Sequence, residues 1–442
     1  MNALFVAVTL LSVLIAAATG RMEALTGSIV TSARSAVELA IGLVGVMAFF
    51  LGLMRVAEQG GVMSALARVV RPVMRRLFPE IPADHPAISA MILNISANML
   101  GLGNAATPFG IKAIQELDRL NSRPGTATNA MTLFLAINTA GLALLPTGMI
   151  GVRAALGSND PAGIVATTWF ASGMATVVGI TAAILLARLP RYQRSEPPPV
   201  ATDALTEGGA ALNAVADPAG DAAVDEPPLP PERAPARVWA ARGFWLVVLA
   251  LAARDLLSRL GAEPLTEAIR GITSFWMLPA IVAAFVLYGW VRRVRVYDAL
   301  VEGARQGFDV ALRIIPYLVA ILVAVGMFRA AGGIDALVGV LGPITGLVGL
   351  PAEVLPVALL RPLSGSGALG VASETLTAYG PDSLIGYLAS TIYGSTETTF
   401  YTLAVYFGAI GVRQTRHTLP ACLLADAAGI LAATAIVNLL FG

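Results

Sequence analysis

The chain has 442 residues, of which 56% are hydrophobic and only 13% charged, and its mean hydropathy is +0.75. Soluble domains carry roughly 25% charged residues, so this composition predicts a polytopic membrane protein. The formal net charge of +1 argues against a nucleic-acid partner, and the single cysteine, Cys422, excludes an intramolecular disulfide.

The apolar segments predict membrane spans, because a spanning helix needs about 20 apolar residues. The N-terminal segment has no Lys or Arg at its start, so we expect a retained first span rather than a signal peptide. Shorter apolar pieces at 86–103 and 353–370 indicate re-entrant or broken helices. The sequence thus predicts an all-α polytopic integral membrane protein. Its candidate spans are 2–19, 36–57, 127–150, 162–188, 240–257, 272–290, 308–328, 384–410 and 418–441.

Four regions follow from these segments: a first repeat at 1–190, a linker at 191–238, an extra transmembrane segment at 239–271 and a second repeat at 272–442. The linker is rich in Pro, Ala and acidic residues, which predicts disorder. Arginines flank it on both sides, and the positive-inside rule therefore places it in the cytoplasm.

The two repeats share short matches in a consistent order, which indicates an ancient duplication. "GMIGVR" (148–153) matches "GAIGVR" (408–413), and "LGNAAT" (102–107) falls on "LGVASE" (369–374). The number of spans between the copies is uncertain, so a parallel and an inverted arrangement both stay open.

Polar, flexible backbone interrupts the apolar pattern once in each repeat. In the first repeat, asparagines are combined with glycines and Pro108 in "NISANMLGLGNAATPFGIK" (94–112). A similar cluster of glycine, proline and polar residues occurs in the second repeat, in "RPLSGSGALG" (361–370). Irregular backbone survives at membrane depth only when it is buried in protein or lines a wet cavity. Paired interruptions therefore predict a transporter substrate site. Close helix packing through Gly and Ser is the alternative.

A second polar cluster, "STIYGSTETTFY" (390–401), contains an intramembrane carboxylate, Glu397. Such residues are functional candidates, and we expect Glu397 to bind a coupling ion or proton or to pair with Arg361. A structural ion pair without a transport role is the alternative. We expect the solute to hydrogen-bond to Asn94, Asn98, Asn104, Thr107, Asn138, Thr139, Ser364, Ser366, Thr396 and Thr398.

The sequence lacks the patterns of common catalytic and cofactor sites. His85 and His417 are far apart, no cluster has zinc-ligand spacing, and there is neither a P-loop nor a G-x-S-x-G elbow. "GSGALG" (365–370) has the form G-x-G-x-x-G, but membrane-length segments surround it. We expect no enzyme activity, no cofactor and no transition-metal site.

The motifs also resemble a known family. Positions 1–190, above all "NISANMLGLGNAATPFGIKAIQELDRLN", resemble spore maturation protein A, and positions 272–442, above all "RPLSGSGALG" and "STIYGSTETTFY", resemble spore maturation protein B. Both are similar to the nucleoside-recognition, or gate-domain, family, whose relatives occur in concentrative nucleoside transporters and in ferrous-iron transport protein B. The resemblance implies a fused inner-membrane protein whose two halves act together in solute movement.

We therefore expect a secondary transporter or channel for a small polar solute, and the family label makes nucleosides one candidate class. The rival is a non-transporting scaffold or regulator in envelope or spore maturation. The expected partners are the lipid bilayer and an unidentified solute, and a homo-oligomer stays open.

Overall fold

The structure, a computed structural model, describes residues 2–82, 85–101, 103–195, 234–261 and 263–442. The description omits the side chains at 2–4, 103–105, 265–267, 269, 270, 273, 274, 309–311, 313, 314 and 344. Most of the predicted linker, 196–233, lies outside the described residues. Apart from one β-bridge between Thr126 and Gln414, the regular structure described is helical.

The bounds of the helices are α1 (Asn2–Thr19), α2 (Met22–Gln59), α3 (Val62–Leu77), α4 (Pro86–Met99), α5 (Gly103–Arg119), α6 (Asn129–Ala140), α7 (Thr147–Ala155), α8 (Ile164–Ala187), α9 (Pro190–Gln193), α10 (Pro235–Leu260), α11 (Leu265–Val291), α12 (Val296–Ala330), α13 (Gly333–Thr345), α14 (Leu355–Leu360), α15 (Gly365–Tyr379), α16 (Leu384–Ser395), α17 (Thr399–Ala409) and α18 (Thr418–Phe441). Apart from the segment between α9 and α10, which contains the predicted linker, the connections between successive helices are short.

Four described helices, α2, α8, α10 and α18, are each long and apolar enough to cross a membrane. A fifth candidate is a pair, Ile315–Ala330 and Gly333–Pro343, which is bent by 76°. The predicted spans 127–150 and 384–410 are each divided into two helices. Gly141 ends α6 in the left-handed region at φ +47°, and Thr396 ends α16 in an extended conformation, so neither segment continues as one helix.

The helices of the two halves correspond in order: α2 with α12, α3 with α13, α4–α5 with α14–α15, α6–α7 with α16–α17, and α8 with α18. Their contacts are reciprocal as well. Helix α1 packs on α12 and α11 packs on α2, and α5 packs on α17 while α15 packs on α7. Reciprocal contacts of this kind define a pseudo-two-fold relation between the repeats.

Helices α8 and α18 run in opposite directions. At one end, Arg416, just before α18, donates to the carbonyl of Tyr192, just after α8, at 2.6 Å. At the other end, Phe441 of α18 stacks on Tyr387 with 3.9 Å between ring centroids. The Tyr387 hydroxyl donates to Asp160, just before α8, at 2.9 Å. The corresponding helices are therefore antiparallel.

Helices α2 and α12 show the same reversal. Arg55, near the end of α2, donates to Glu302, near the start of α12, at 2.7 Å. Arg21, before α2, lies 3.9 Å from Asp335, beyond the end of α12. The repeats thus have inverted topology, the alternative that the sequence left open.

We call the face that carries the two described ends of the linker, residues 195 and 234, the linker face. Helix α3 lies on it, because Arg76 of α3 lines a cavity of about 440 Å³ together with Arg188 at the end of α8. Cationic side chains concentrate there, and by the positive-inside rule we expect this face to be cytoplasmic. Its arginines include Arg68, Arg71, Arg75, Arg76, Arg188, Arg191, Arg194, Arg237, Arg242, Arg292, Arg293, Arg413 and Arg416.

Each repeat contains one re-entrant hairpin, as the short apolar pieces predict. In the first, the Asn94 side chain donates to the Ala106 carbonyl at 2.8 Å across the α4–α5 turn. The outer ends of both helices share an apolar cluster that includes Ile88 and Leu117. The hairpin therefore enters from the linker face and returns to it.

The second hairpin, α14–α15, enters from the opposite face. The Asn438 side chain near the end of α18 donates to the Gly349 carbonyl just before this hairpin, at 2.8 Å. After the hairpin, the Pro381 carbonyl accepts from Arg153 near the end of α7. The two hairpins thus point toward each other from opposite sides of the bilayer.

Helix α10 stands apart from this scheme. It packs against α11, and the side chain of Trp276 there donates to Asp255 of α10 at 2.9 Å. None of its residues is buried, and its apolar side chains, such as Leu246 and Leu257, are about 70% exposed. Most of its surface therefore faces lipid.

Candidate functional site

Four interruptions of helices contact one another in the structure. We number them in chain order: break 1 joins α4 to α5, break 2 joins α6 to α7, break 3 joins α14 to α15, and break 4 joins α16 to α17. Break 1 turns at Gly101 with φ +74°, a backbone conformation that glycine adopts without strain. The breaks leave backbone groups outside the helical hydrogen-bond pattern, so their contacts decide what they can do.

Breaks 1 and 2, both in the first repeat, are joined by two hydrogen bonds. The Leu144 amide donates to the Met99 carbonyl at 2.7 Å. The Asn98 side chain donates to Asn138 Oδ1 at 3.0 Å, and the Asn138 amide in turn donates to the Phe134 carbonyl at 2.9 Å. Two predicted asparagines are thus in direct contact, and Asn98 keeps a half-buried position.

Breaks 2 and 4 come from different repeats and also touch. The Glu397 amide donates to the Thr139 carbonyl at 2.7 Å. Gly141 lies against the same residue, since a Cβ built on it would be 2.6 Å from Glu397 Cγ. Glycine at this position therefore permits a close approach as well as the left-handed turn.

Breaks 3 and 4 form a third contact, organised by Arg361. This guanidinium donates to the Thr396 carbonyl, lies 3.5 Å from the Glu397 carboxylate and stacks 4.4 Å over the Tyr393 ring. The Phe400 amide donates to the Pro362 carbonyl at 2.9 Å. The Arg361 side chain is 6% exposed, whereas that of Glu397 is 51% exposed.

The remaining predicted residues occupy different environments. Asn94 is fully buried, and its amide donates to Ala106 and to the Tyr406 hydroxyl, which makes it part of the hairpin's internal bonding. Ser364 caps α15 by accepting from the Gly367 amide at 3.0 Å, whereas Ser366 is exposed. Thr396 and Thr398 are buried and Thr107 is half-buried, and the side chain of Asn104 lies outside the described residues.

A cavity of about 210 Å³ opens beside breaks 1 and 2. Asn98, Asn138 and Gly141 contribute its polar end, and apolar residues of α3, α4, α6 and α8 form the rest. A mostly apolar wall with a few polar groups is typical of small-molecule sites, but this cavity is smaller than most of them.

Comparison with known proteins identifies the architecture. The family called Gate, described as nucleoside recognition, matches residues 40–156 and 311–413, once in each repeat. Spore maturation protein B of Bacillus subtilis (strain 168) is 48% identical over 169 residues, which are 38% of this chain and 95% of that relative. Spore maturation protein A of the same organism is 38% identical over 195 residues, 44% of this chain and 97% of that relative. The chain belongs to the Gate family.

The two relatives match different halves of this Gate protein, which supports the interpretation as a fusion of two proteins. Inner membrane protein YjiG of Escherichia coli (strain K12) is 34% identical over 87 residues, 20% of this chain and 57% of that relative. Together with the membrane spans, this similarity identifies an inner-membrane Gate protein. No solved structure matches the chain significantly.

Sequence reasoning missed two polar groups of this Gate protein. Asp426, inside α18, is 2% exposed and accepts from the Thr399 hydroxyl at 2.6 Å. Arg153, at the face opposite the linker, is fully buried and donates to Asp382 at 2.9 Å and to the Asp160 carbonyl at 2.9 Å. A charged residue within an apolar run was the available signal for both.

Proposed function

We propose that this Gate protein moves a small polar solute across the inner membrane, as a secondary transporter or channel, and that the solute binds where the four breaks meet. The observation that carries the proposal is the hydrogen bond from the Glu397 amide to the Thr139 carbonyl at 2.7 Å, because it joins a break of one repeat to a break of the other. Discontinuous helices at the interface of inverted repeats are where transporters bind their substrates.

The chemistry at the breaks favours a neutral solute with several hydroxyl or amide groups. Glu397 presents a half-exposed carboxylate that accepts hydrogen bonds, Ser366 presents an exposed hydroxyl, and Asn98 presents a half-buried amide. Arg361 neutralises the carboxylate from its buried side. The family description makes nucleosides the first class to test.

The proposal is tested by transport into liposomes. Purified full-length protein is reconstituted, and uptake of a panel of labelled nucleosides, sugars and amino acids is measured. We expect at least one solute to enter faster than into empty liposomes. Glu397→Gln and Asn98→Ala should reduce that uptake, whereas Ser158→Ala, far from the breaks on the face opposite the linker, should not.

Thiol accessibility gives a measurement that needs no knowledge of the solute. In a Cys422→Ala background, Ser366→Cys should react with a membrane-impermeant reagent, since Ser366 is exposed at a break. Ser96→Cys is the matched control, because Ser96 is fully buried on α4. Unreactive Ser366→Cys together with no uptake of any solute would contradict transport and favour a scaffold.

A further inference from the structure

The carboxylate of Asp426 lies directly behind break 4. Its helix, α18, packs against α16, α17 and α6, which carry the two breaks that join the repeats. Gly429, one turn further along α18, permits this approach, since a Cβ there would be 2.9 Å from Thr396 Cγ2 and 3.1 Å from Ser395 Oγ. Asp426 is therefore enclosed by protein rather than lipid.

The hydrogen bonding of this carboxylate is incomplete. Oδ2 accepts from the Thr399 hydroxyl at 2.6 Å, and the Thr396 hydroxyl also faces the group. Oδ1 is buried and has no hydrogen-bond partner within the described part of the chain. A buried carboxylate oxygen without a partner costs free energy. A ligand that bonds to Oδ1 would remove this cost.

Nearby charges do not neutralise Asp426. The side chains that act on it electrostatically are Arg361 across break 4 and, one turn earlier on α18, the thiol of Cys422. Arg361 is committed to the Thr396 carbonyl and to Glu397, and no described cation forms an ion pair with Asp426. The packed side chains of α6 and α8 next to this turn, Ala140 and Ala175, do not titrate.

We propose that Asp426 binds a proton and couples solute movement to the proton gradient; this inference rests on the proposed transport function. Binding forms one O–H bond at Oδ1 and removes the negative charge, and release breaks that bond, with no other covalent change. A proton fits the enclosed site, whereas a hydrated metal ion needs several oxygen ligands and more room.

The contact with Thr399 links the proton to the solute site. Thr399 is the first residue of α17, two positions after Glu397. The charged carboxylate accepts a strong hydrogen bond from the Thr399 hydroxyl at Oδ2 and is favoured by the positive end of the α17 dipole. In the acid neutralised at Oδ1, the hydrogen bond to Oδ2 is weaker and the attraction to the dipole is lost. Protonation therefore loosens the start of α17 and, with it, the half of break 4 that bonds to the other repeat.

Infrared spectroscopy of the full-length protein in lipid nanodiscs tests the proton site without any solute. The carbonyl stretch of a neutral carboxylic acid is resolved from that of a carboxylate, and we expect it to appear on acidification in the wild type. Asp426→Asn should lose that band, and Asp426→Glu should shift it. Glu397→Gln should retain it, since that carboxylate is exposed and paired.

Two further infrared measurements test whether the band belongs to Asp426. Thr399→Val should move the band to higher frequency, because it removes the hydrogen bond at Asp426. Replacing choline with Na⁺ at constant pH should leave the band unchanged. A band that persists in Asp426→Asn, or one that Na⁺ abolishes, overturns the proposal.

Transport measurements separate the inference from the function on which it rests. In liposomes loaded with a pH-sensitive dye, a transported solute should carry protons inward in the wild type and should move without protons in Asp426→Asn. Proton-coupled uptake that Asp426→Asn leaves intact overturns the coupling and supports transport. The infrared band without movement of any solute overturns transport and coupling and supports the proton site.

Discussion

Removing the two partners of the Arg361–Glu397 pair should have unequal effects on stability. Arg361 is 6% exposed and Glu397 is 51% exposed, so water screens the pair on one side only. Arg361→Met leaves the buried Thr396 carbonyl without its donor, at a cost of about 1–3 kcal/mol. It also loses the contact with the Tyr393 ring, worth up to about 2 kcal/mol. Together these give an expected loss of unfolding free energy of about 1.5–5 kcal/mol.

Glu397→Gln should cost below about 1 kcal/mol, as is typical of an ion pair with an exposed partner. Thermal unfolding of the full-length variants in nanodiscs measures both, and the double variant should match Arg361→Met to within about 1 kcal/mol. Arg361→Lys, which keeps the charge but has a smaller donor set, should fall between them. Equal destabilisation by the two single changes would refute the asymmetric burial from which these figures are derived.

Three other predictions concern the breaks and the two ends of the repeats. Gly141→Ala should lower stability by about 1–2 kcal/mol, because alanine is strained at a positive φ and meets break 4, whereas Gly148→Ala, with open space at its Cα, should be neutral in the same thermal assay. Arg153→Gln should lower the free energy of unfolding by about 3–5 kcal/mol, because it removes the contacts that join two loops. Arg413→Gln, at the equivalent but exposed position, should have little effect. Limited proteolysis of the loops measures both. Burial, helped by the adjacent arginine charge, lowers the pKa of His417 to about 4. Because the folded state favours the neutral imidazole, stability should fall as the pH drops from about 6.5 to 4, by at most about 3 kcal/mol, and thermal melts across this range should show a smaller fall in His417→Gln.

The polar residues at breaks 1 and 2 could be predicted because the signals are local. Glycine and proline in an apolar run interrupt a helix wherever they occur, and the asparagines beside them need partners. That reasoning predicts Asn98, whereas Asn138 is predicted as the first-repeat counterpart of the Glu397 cluster, and the structure brings the two side chains within 3.0 Å of each other. Their role toward a solute stays a prediction.

Long-range relations could not be read from the sequence. The orientation of the repeats depends on whether 86–103 and 353–370 cross the membrane or return, and hydropathy does not distinguish these cases. Arg153 was overlooked because its partners at 381–382 lie far away in the chain. Asp426 was overlooked because a single carboxylate among alanines does not interrupt a span, so its charge was the one local signal, and its packing behind break 4 becomes visible only in the structure.

The lipid-exposed helix α10 acquires a purpose when membrane crossings are counted. If α1 and the divided segment α6–α7 are counted with the candidate spans α2 and α8, the first repeat has four crossings, so it begins and ends on the same side. An inverted copy must begin on the other side, and a tether that stays in the cytoplasm cannot deliver it there. Helix α10 supplies the one additional crossing, which makes the number of crossings before the second repeat odd. Without it, the second copy would insert in the same direction as the first, and breaks 2 and 4 would not meet.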